Sequence, residues 1–272
     1  MTTPNATRRA TEIFGAPKAL VGMIHLLPLP GSAAGCESLQ AVIDRAMHEA
    51  DLIKAAGFDA ILIENTHDRP YLRRNVGPEV VAAMSVISRM IADSVGLPLG
   101  IQVLAGDNRA ALSVALCCGA RFIRAEGFVF SSIADEGLFD VADAGPLLRY
   151  RREIGAEHIA VMADIQKKHS SHAITADCDT WDHASAADYC LADGIVLTGK
   201  TTGTSIRSEE LETARQAVDL PICIGSGVTP SSARDLFRHA DALIIGSALK
   251  TGGDWRNEMQ PDLLAEFADV RP

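Results

Sequence analysis

Short apolar runs alternate with segments of helical spacing along almost the whole chain, and this alternation restricts the fold more than any other feature. About eight such pairs follow one another, and no Pro-, Ser- or Gly-rich linker separates them. Near-continuous apolar strands that alternate with helices indicate a parallel sheet covered by helices. In a chain of 272 residues, this number of units predicts a single (β/α)₈ barrel domain, residues 1–272, rather than a doubly wound sheet.

The bounds of the predicted elements follow from the apolar periodicity. The strands are expected at residues 19–25, 59–64, 98–104, 121–125, 158–163, 194–197, 221–224 and 242–245. The helices are expected at residues 38–56, 79–95, 108–118, 146–154, 181–192, 208–218, 231–239 and 261–268. Segments 126–144 and 165–180 are predicted to be long loops, the first with short helical turns as an alternative, and residues 1–17 a short N-terminal extension.

Charge and composition exclude several classes of partner. The net charge of -10 argues against a nucleic acid or an anionic membrane as the main partner. No apolar run approaches the length of about 20 residues that a membrane span needs, and the N-terminus has no apolar signal core. The six cysteines form no Cys-x-x-Cys pair and are interpreted as reduced thiols. We expect a cytoplasmic protein, and the two long loops leave a homo-oligomer as an alternative to a lid.

Glycine-containing turns end the last two predicted strands. The first turn is Gly225, Ser226 and Gly227, and the second is Gly246 and Ser247. Glycine lets a ligand approach the main chain, and free N–H groups before a helix favour an anion. In (β/α)₈ barrels the loops after strands 7 and 8 often bind phosphate. These five residues, with Thr198 and Gly199 after the preceding strand, are therefore predicted to bind a phosphate group; purely structural turns are the alternative.

Polar or ionisable residues stand at the end of nearly every predicted strand, where (β/α)₈ barrels carry their active sites. They are His25, Glu64, Asn65, Gln102, Arg124, Glu126, Asp164, Lys168, His169, Thr198 and Gly199. Those predicted to be catalytic are His25, Glu64, Arg124, Glu126, Asp164, Lys168 and His169. Each alone has a structural interpretation: His25 as a satisfied core histidine, Glu64 with Arg124 as an ion pair, Asp164 as a cap, and Lys168 as a solvated charge. For Lys167 the solvated loop charge is the preferred interpretation.

The chain resembles the BtpA/SgcQ family over nearly its whole length. The motifs that carry the resemblance are VGMIHLLPLPG (21–31), ILIENTHDRP (61–70), VAAMSVI (81–87), FIRAEGFVFSSIADEG (122–137), ADIQKKHSSH (163–172), IVLTGKTTG (195–203), GSGVTP (225–230) and DALIIGSALKTGG (241–253). The family is similar to ribulose-phosphate-binding barrels, which implies the same fold. Its founding name is attached to photosystem I biogenesis, and other members resemble products of sugar-utilisation gene clusters.

Two segments depart from the version of the family that carries the photosystem name. That version tends to read Gly-Val-Asn-Val-Leu-Arg-Asn after strand 3, where this chain has Gln102 and Ala105. It also tends to have an asparagine close to the arginine after strand 4, where Glu126 stands here. A changed barrel mouth implies a different substrate preference, so the resemblance gives less support to a photosystem role.

The candidate residues combine bases with acids. Glu64, Glu126 and Asp164 can accept a proton, and His25, Lys168 and His169 can donate one. Such groups around a carbonyl compound permit enolisation, epimerisation or retro-aldol cleavage. The leading hypothesis is therefore a lyase, isomerase or epimerase that acts on a phosphorylated sugar or related metabolite without a cofactor. A Schiff-base aldolase that uses Lys200 is disfavoured, because Lys200 lies beyond the strand end in a Gly/Thr loop.

Two other functions stay open. A metal-dependent hydrolase that binds a divalent metal could take its ligands from His25, Glu64, Asp164, His169 and His172. Against it, Met23 stands where the His-x-His of strand 1 would begin in metal hydrolases of this fold. The second alternative is a non-catalytic assembly factor, and the number of ionisable groups at the mouth argues against it.

Overall fold

Eight parallel strands close into a barrel in this computed structural model, which describes residues 3–199 and 206–271. The strands of the described residues are β1 (Ala19–His25), β2 (Ala60–Glu64), β3 (Leu99–Gln102), β4 (Phe122–Ala125), β5 (Ser132–Ala134), β6 (Gly137–Phe139), β7 (Ala160–Ile165), β8 (Ser170–Ser171), β9 (Gly194–Leu197), β10 (Ile222–Ile224) and β11 (Ala242–Ile245). The barrel consists of β1, β2, β3, β4, β7, β9, β10 and β11. It is closed because β11 pairs with both β10 and β1. The predicted (β/α)₈ fold is confirmed.

Helices cover the outside of this barrel. The α-helices of the described residues are α1 (Pro4–Phe14), α2 (Leu39–Ala55), α3 (Pro78–Val95), α4 (Asn108–Cys118), α5 (Ala144–Glu153), α6 (Thr180–Tyr189), α7 (Ser208–Ala217), α8 (Pro230–Leu236) and α9 (Pro261–Ala265). Short 3-10 helices lie at Ala173–Thr175, Ser247–Leu249 and Thr251–Gly253. Local sequence sets the ends of the α-helices, as α4 illustrates. The side chain of Asp107 accepts a hydrogen bond from the N–H of Ala110, and Gly119 ends the helix with a φ of 76°.

The N-terminal extension forms α1, a helix that the sequence interpretation did not include. Thr3 caps its first turn by accepting a hydrogen bond from the N–H of Ala6, and Gly15 ends it with a φ of 89°. Its apolar side packs against the residues that fill the barrel interior. The rings of Phe14 and Phe122 meet edge to face with centroids 5.0 Å apart. Helix α1 therefore covers the end of the barrel opposite the carboxyl ends of the strands.

The two segments predicted to be long loops contain strands instead. β5 and β6 form a hairpin within 126–144, and β8 lies within 165–180 and pairs with β5. The resulting antiparallel sheet, which we call the mouth sheet, is formed by the segment that follows β4 and the segment that follows β7. Because β4 and β7 are neighbours in the barrel, the segments that follow them emerge side by side. The prediction of loops was wrong here, since strands of two or three residues are too short to show a period.

The register of the barrel brings three polar side chains together at the carboxyl ends of the strands. His25 of β1 pairs with Glu64 of β2, and Glu64 pairs with Gln102 of β3. Residues in register on parallel strands point to the same face of the sheet. All three are buried, and they form one wall of the cavity described below.

Candidate active site

Two cavities adjoin at the mouth of the barrel. The first, the mouth cavity, has a volume of about 270 Å³ and is lined mainly by ionisable residues from the ends of β1 to β7. The second, the turn cavity, has a volume of about 250 Å³ and is lined by the turns that follow β10 and β11. The residues that line both are Met23, His25, Lys168, Gly225 and Ser247. A ligand that reaches from one cavity into the other must pass these five residues.

Arg124 and Asp164 form a buried ion pair at the floor of the mouth cavity. Nη2 of Arg124 lies 2.6 Å and Nε 3.0 Å from Oδ2 of Asp164. Burial opposes the charge of the guanidinium, but the carboxylates of Asp164 and Glu64 outweigh it and raise the pKa of Arg124. Arg124 lines the mouth cavity and Asp164 does not. Asp164 lines a smaller neighbouring cavity instead, and its contact with Arg124 holds the guanidinium in place.

Glu64 is a buried carboxyl that faces the mouth cavity. Its only hydrogen bond within the described residues comes from the hydroxyl of Thr66, which donates to Oε1 over 2.8 Å. Burial raises the pKa of Glu64 above its ordinary value, although the nearby Arg124 cation acts in the opposite direction. The structural interpretation of the sequence paired Glu64 with Arg124. In the structure Arg124 forms its ion pair with Asp164 instead. A carboxyl with a raised pKa in a cavity has the properties of a general base.

His25 stands beside Glu64 and lines both cavities. Its Nδ1 is buried and has no hydrogen-bond partner in the described part of the chain. Burial lowers the pKa of His25 well below its ordinary value, and the cations of Lys250 and Lys168 lower it further. The imidazole is therefore neutral at neutral pH. His25 is not the satisfied core histidine of the alternative interpretation.

Glu126 is held from several sides at the wall of the mouth cavity. Gln102 donates from Nε2 to one carboxylate oxygen over 3.1 Å, and Lys167 donates from Nζ to the other over 3.0 Å. Asn108 also bonds to the main chain of Glu126 in both directions. The interpretation of Lys167 as a solvated loop charge was wrong. Burial opposes its charge, but Glu126 outweighs burial and raises the pKa of Lys167.

Lys168 and His169 reach the mouth cavity from the segment that follows β7. The main-chain N–H of Lys168 donates to Oγ1 of Thr198 over 3.1 Å. Burial lowers the pKa of the Lys168 ammonium, and the Arg124 cation adds to this effect. His169 lies at the exposed rim with a φ of 57°. Both side chains therefore contact the cavity that Glu64 and His25 line.

The turns predicted to bind phosphate line the turn cavity, but not all of their N–H groups are free. Gly225, Ser226, Gly227, Gly246 and Ser247 all line it. The N–H of Gly225 donates to the carbonyl of Leu197 over 2.8 Å, so the expectation of free N–H groups is wrong at Gly225. Within the described residues, the N–H groups of Ser226 and Ser247 have no acceptor.

Thr198 and Gly199 support these turns rather than line the turn cavity. The hydroxyl of Thr198 holds the main chain of Lys168, as described above. The N–H of Gly199 donates to the hydroxyl of Ser226 over 3.2 Å. Lys200, the lysine of the Schiff-base alternative, lies outside the described residues.

Two of the turn glycines make room for candidate catalytic side chains. A Cβ added to Gly246 would lie 2.8 Å from Cε1 of His25. A Cβ added to Gly225 would lie 3.0 Å from Nη2 of Arg124 and 2.7 Å from a methyl carbon of Val196. Glycine is needed here for the approach of protein side chains, whereas the sequence suggested only the approach of a ligand.

Comparison with known proteins places the chain in a family. The model of the BtpA family matches residues 16–270. The chain belongs to the BtpA family. It is 37% identical to the photosystem I biogenesis protein BtpA of Synechocystis, over 95% of this chain and 90% of that protein. It is 39% identical to an uncharacterised protein of Caenorhabditis elegans named as mitochondrial, over 94% of each chain.

Solved structures agree with the fold of this BtpA-family chain. Thiamine phosphate pyrophosphorylase from Pyrococcus furiosus superposes with a TM-score of 0.55 at 13% identity, over 93% of this chain and 95% of that one. Phosphoribosyl anthranilate isomerase from Thermus thermophilus gives a TM-score of 0.56 at 14% identity, over 92% and 96%. At this identity the likeness concerns the fold alone. No helix among residues 3–199 and 206–271 is both long and apolar enough to cross a membrane.

The residues proposed as metal ligands are not gathered around one point. Among the described residues, no group of three or more His, Cys, Asp and Glu side chains could hold a metal ion. Asp164 is bound to Arg124, and His172 lies in a smaller cavity beside His183. This geometry gives the metal-hydrolase alternative no support.

The sequence interpretation missed several residues of the mouth cavity. They are Thr66, Arg69, Tyr71, Asp135, Glu136, Lys167 and Trp255. The ring of Trp255 lies 4.7 Å from that of His67, and the guanidinium of Arg69 lies 4.9 Å from the Trp255 ring centroid. Thr66 and Arg69 lie inside the motif ILIENTHDRP, which was a usable signal. Trp255 follows β11 in an irregular segment, where no periodicity indicates its position.

Proposed function

We propose that this chain is a lyase, isomerase or epimerase that acts on a phosphorylated sugar or a related small metabolite by acid and base chemistry. The observation that carries the proposal is the junction of the two cavities. One cavity is lined by ionisable side chains and the other by small-residue turns, and His25 and Lys168 line both. A substrate with a reactive end and an anionic end fits this division.

Glu64 is the proposed base. A carboxylate whose pKa is raised toward neutrality can remove a proton from carbon next to a carbonyl group. Arg124 faces the same cavity as a cation fixed by Asp164, so it can stabilise the oxygen that becomes negative when the proton leaves. Lys168 and the neutral His25 line the same cavity and can return a proton.

The turn cavity is the proposed place of the phosphate. The hydroxyls of Ser226 and Ser247 can donate hydrogen bonds to an anion there, as can the N–H groups of these residues, which have no acceptor within the described part of the chain. Such binding would fix the orientation of the substrate without taking part in the reaction. The names of the two solved barrels given above denote enzymes of phosphate-bearing compounds, which is in keeping with this proposal.

Thermal shift measurements test the anion site. The protein is heated with inorganic phosphate, with a panel of phosphorylated sugars and with divalent metal salts, because a ligand of the native state raises the melting temperature. The Ser226→Asp variant places a carboxylate in the turn cavity. The matched control is Ser94→Asp, on the exposed end of α3 and outside both cavities.

We expect phosphorylated compounds to raise the melting temperature of the unaltered protein and of Ser94→Asp, but not of Ser226→Asp. Stabilisation by metal salts alone would favour a metal-dependent hydrolase. The absence of a response to every compound would overturn the proposal and favour a non-catalytic assembly factor.

A further inference from the structure

The side chain of Lys168 differs from the other described lysines. Every other lysine of the described residues donates a hydrogen bond from Nζ to a protein oxygen. The acceptors are carbonyl oxygens of Phe237 and Ala240 for Lys18, that of Ser94 for Lys54, and carboxylate oxygens of Glu126 and Glu49 for Lys167 and Lys250. Within the same residues, Nζ of Lys168 has no such acceptor, although the residue is partly buried. An amine in this state is available to a ligand.

The position of Lys168 also distinguishes it from the other described lysines. It is the one described lysine that lines both the mouth cavity and the turn cavity. Its main chain is fixed by the hydrogen bond to Thr198, which follows β9. A ligand whose phosphate occupies the turn cavity therefore presents the next few atoms of its chain to Lys168.

The surroundings of Lys168 lower the pKa of its amine. Burial and the Arg124 cation cause this shift, and the carboxylates of Glu64, Asp164 and Glu126 oppose it without cancelling it. A lowered pKa increases the share of the neutral amine, which is the form that attacks carbon. Two proton carriers lie on the walls of the same cavity: Glu64, with a raised pKa, and His25, with a lowered one. They can move the protons that an addition to a carbonyl group and the loss of water require.

We propose that Lys168 forms an imine with the carbonyl carbon of a phosphorylated aldehyde or ketone, at the junction of the two cavities. The lone pair of Nζ forms the bond to carbon as the second bond between carbon and oxygen breaks. The oxygen takes one proton from the attacking nitrogen and a second from the protonated carboxyl of Glu64. Water then leaves as the carbon–nitrogen double bond forms, and the imine nitrogen keeps its remaining proton. The protonated imine then withdraws electrons from the neighbouring carbon while Glu64 removes its proton. This inference rests on the proposed function and changes the part of Lys168 in it from proton donor to nucleophile.

Reductive trapping tests the imine. The protein is incubated with dihydroxyacetone phosphate and sodium borohydride, which reduces an imine to a stable amine, and the adduct is located by peptide mass spectrometry. Lys168→Arg keeps the positive charge but cannot form the imine. Lys54→Arg removes an exposed lysine on α2 and serves as the matched control. The melting temperature of each protein is measured with and without the same compound.

The proposal predicts one adduct, on Lys168, that persists in Lys54→Arg and disappears in Lys168→Arg. Stabilisation of the protein by dihydroxyacetone phosphate without an adduct on Lys168 would overturn the imine and leave the proposed function standing. Equal labelling of Lys54 and Lys168 would also overturn the imine proposal, because an exposed lysine can react with the compound without any binding site. If dihydroxyacetone phosphate gives no stabilisation and no adduct, the result counts against both proposals.

Discussion

Arg124 and Asp164 meet through a single carboxylate oxygen: Nη2 and Nε of the arginine both donate to Oδ2 of the aspartate, over 2.6 and 3.0 Å. Oδ1 of Asp164 is buried and has no partner among the described residues. The two side chains are 4% and 0% exposed and belong to neighbouring strands. The pair therefore sets the position of the cation at the floor of the mouth cavity.

Removal of one partner should destabilise the protein strongly. Asp164→Ala leaves a buried guanidinium without its counter-charge, which typically costs about 3–5 kcal/mol of unfolding free energy. The double variant Arg124→Met with Asp164→Leu removes both charges and should recover most of that loss. Urea unfolding of the unaltered protein, of Asp164→Ala and of the double variant measures these differences in unfolding free energy. A double variant as unstable as Asp164→Ala would show that the loss has another origin.

The raised pKa of Glu64 gives stability a defined dependence on pH. The folded protein binds the proton of Glu64 more tightly than the unfolded chain does, so ionisation of Glu64 favours the unfolded chain. This cost grows as the pH rises from the ordinary glutamate value through the raised one. Glu64→Gln should therefore be more stable than the unaltered protein at neutral pH, with a difference that vanishes in acid.

Urea unfolding across the acidic to neutral range measures this difference for Glu64→Gln. Glu212→Gln, which removes an exposed carboxyl of α7, is the matched control and should show no such gain. A Glu64→Gln protein that is less stable than the unaltered one at neutral pH would contradict the assignment of Glu64 as a costly buried carboxyl.

His25 should make the protein sensitive to acid. Its pKa in the folded protein lies well below the ordinary value of 6.5, so in mild acid the unfolded chain binds a proton that the folded protein does not. The stability that His25 contributes as a neutral group is therefore fully present above its ordinary pKa. It is lost as the pH falls from that value toward the lowered pKa of the folded protein. His25→Gln should lose less stability between neutral and mildly acidic pH, whereas His48→Gln, at an exposed position of α2, should behave as the unaltered protein does. Identical pH profiles for all three would refute this role.

A methyl group at Gly246 should displace His25. The added Cβ would lie 2.8 Å from Cε1 of His25, and overpacking of this kind costs about 1–3 kcal/mol. Gly145→Ala is the control, since it lies in α5, where its Cβ would meet only the flexible end of Arg149 at 3.3 Å, and alanine favours the helix. Chemical unfolding and the His25 signals in NMR spectra test this. An unchanged His25 environment in Gly246→Ala would contradict the packing described.

The barrel could be predicted from sequence because its strands carry a long-range pattern. β1, β9, β11 and α4 have the bounds expected from the apolar runs. The mouth sheet could not be predicted, because pairs such as Ile133 with Leu138 form between strands of three residues, and their pairing depends on how β4 and β7 place the two segments. Helix α1 does carry sequence signals, namely the Thr3 cap, the apolar spacing and Gly15.

For the candidate site, sequence predicted which strand ends matter but not which groups pair. Register alone places His25 beside Glu64, and strand order follows from the fold. The choice of Asp164 over Glu64 as the partner of Arg124, and of Glu126 as the partner of Lys167, depends on side-chain directions in three dimensions. The main-chain bond of Gly225 likewise follows from the pairing of β10 with β9.

The most direct test of the central claim is the exchange of carbon-bound hydrogen with solvent deuterium. The protein is incubated in D₂O with phosphorylated ketoses and aldoses, and the proton next to the carbonyl group is followed by NMR. We expect catalysed exchange in at least one compound, a large loss of the rate in Glu64→Gln, and an unchanged rate in Glu212→Gln. No exchange with any compound, or the same rate in Glu64→Gln, would contradict acid and base chemistry at this barrel mouth.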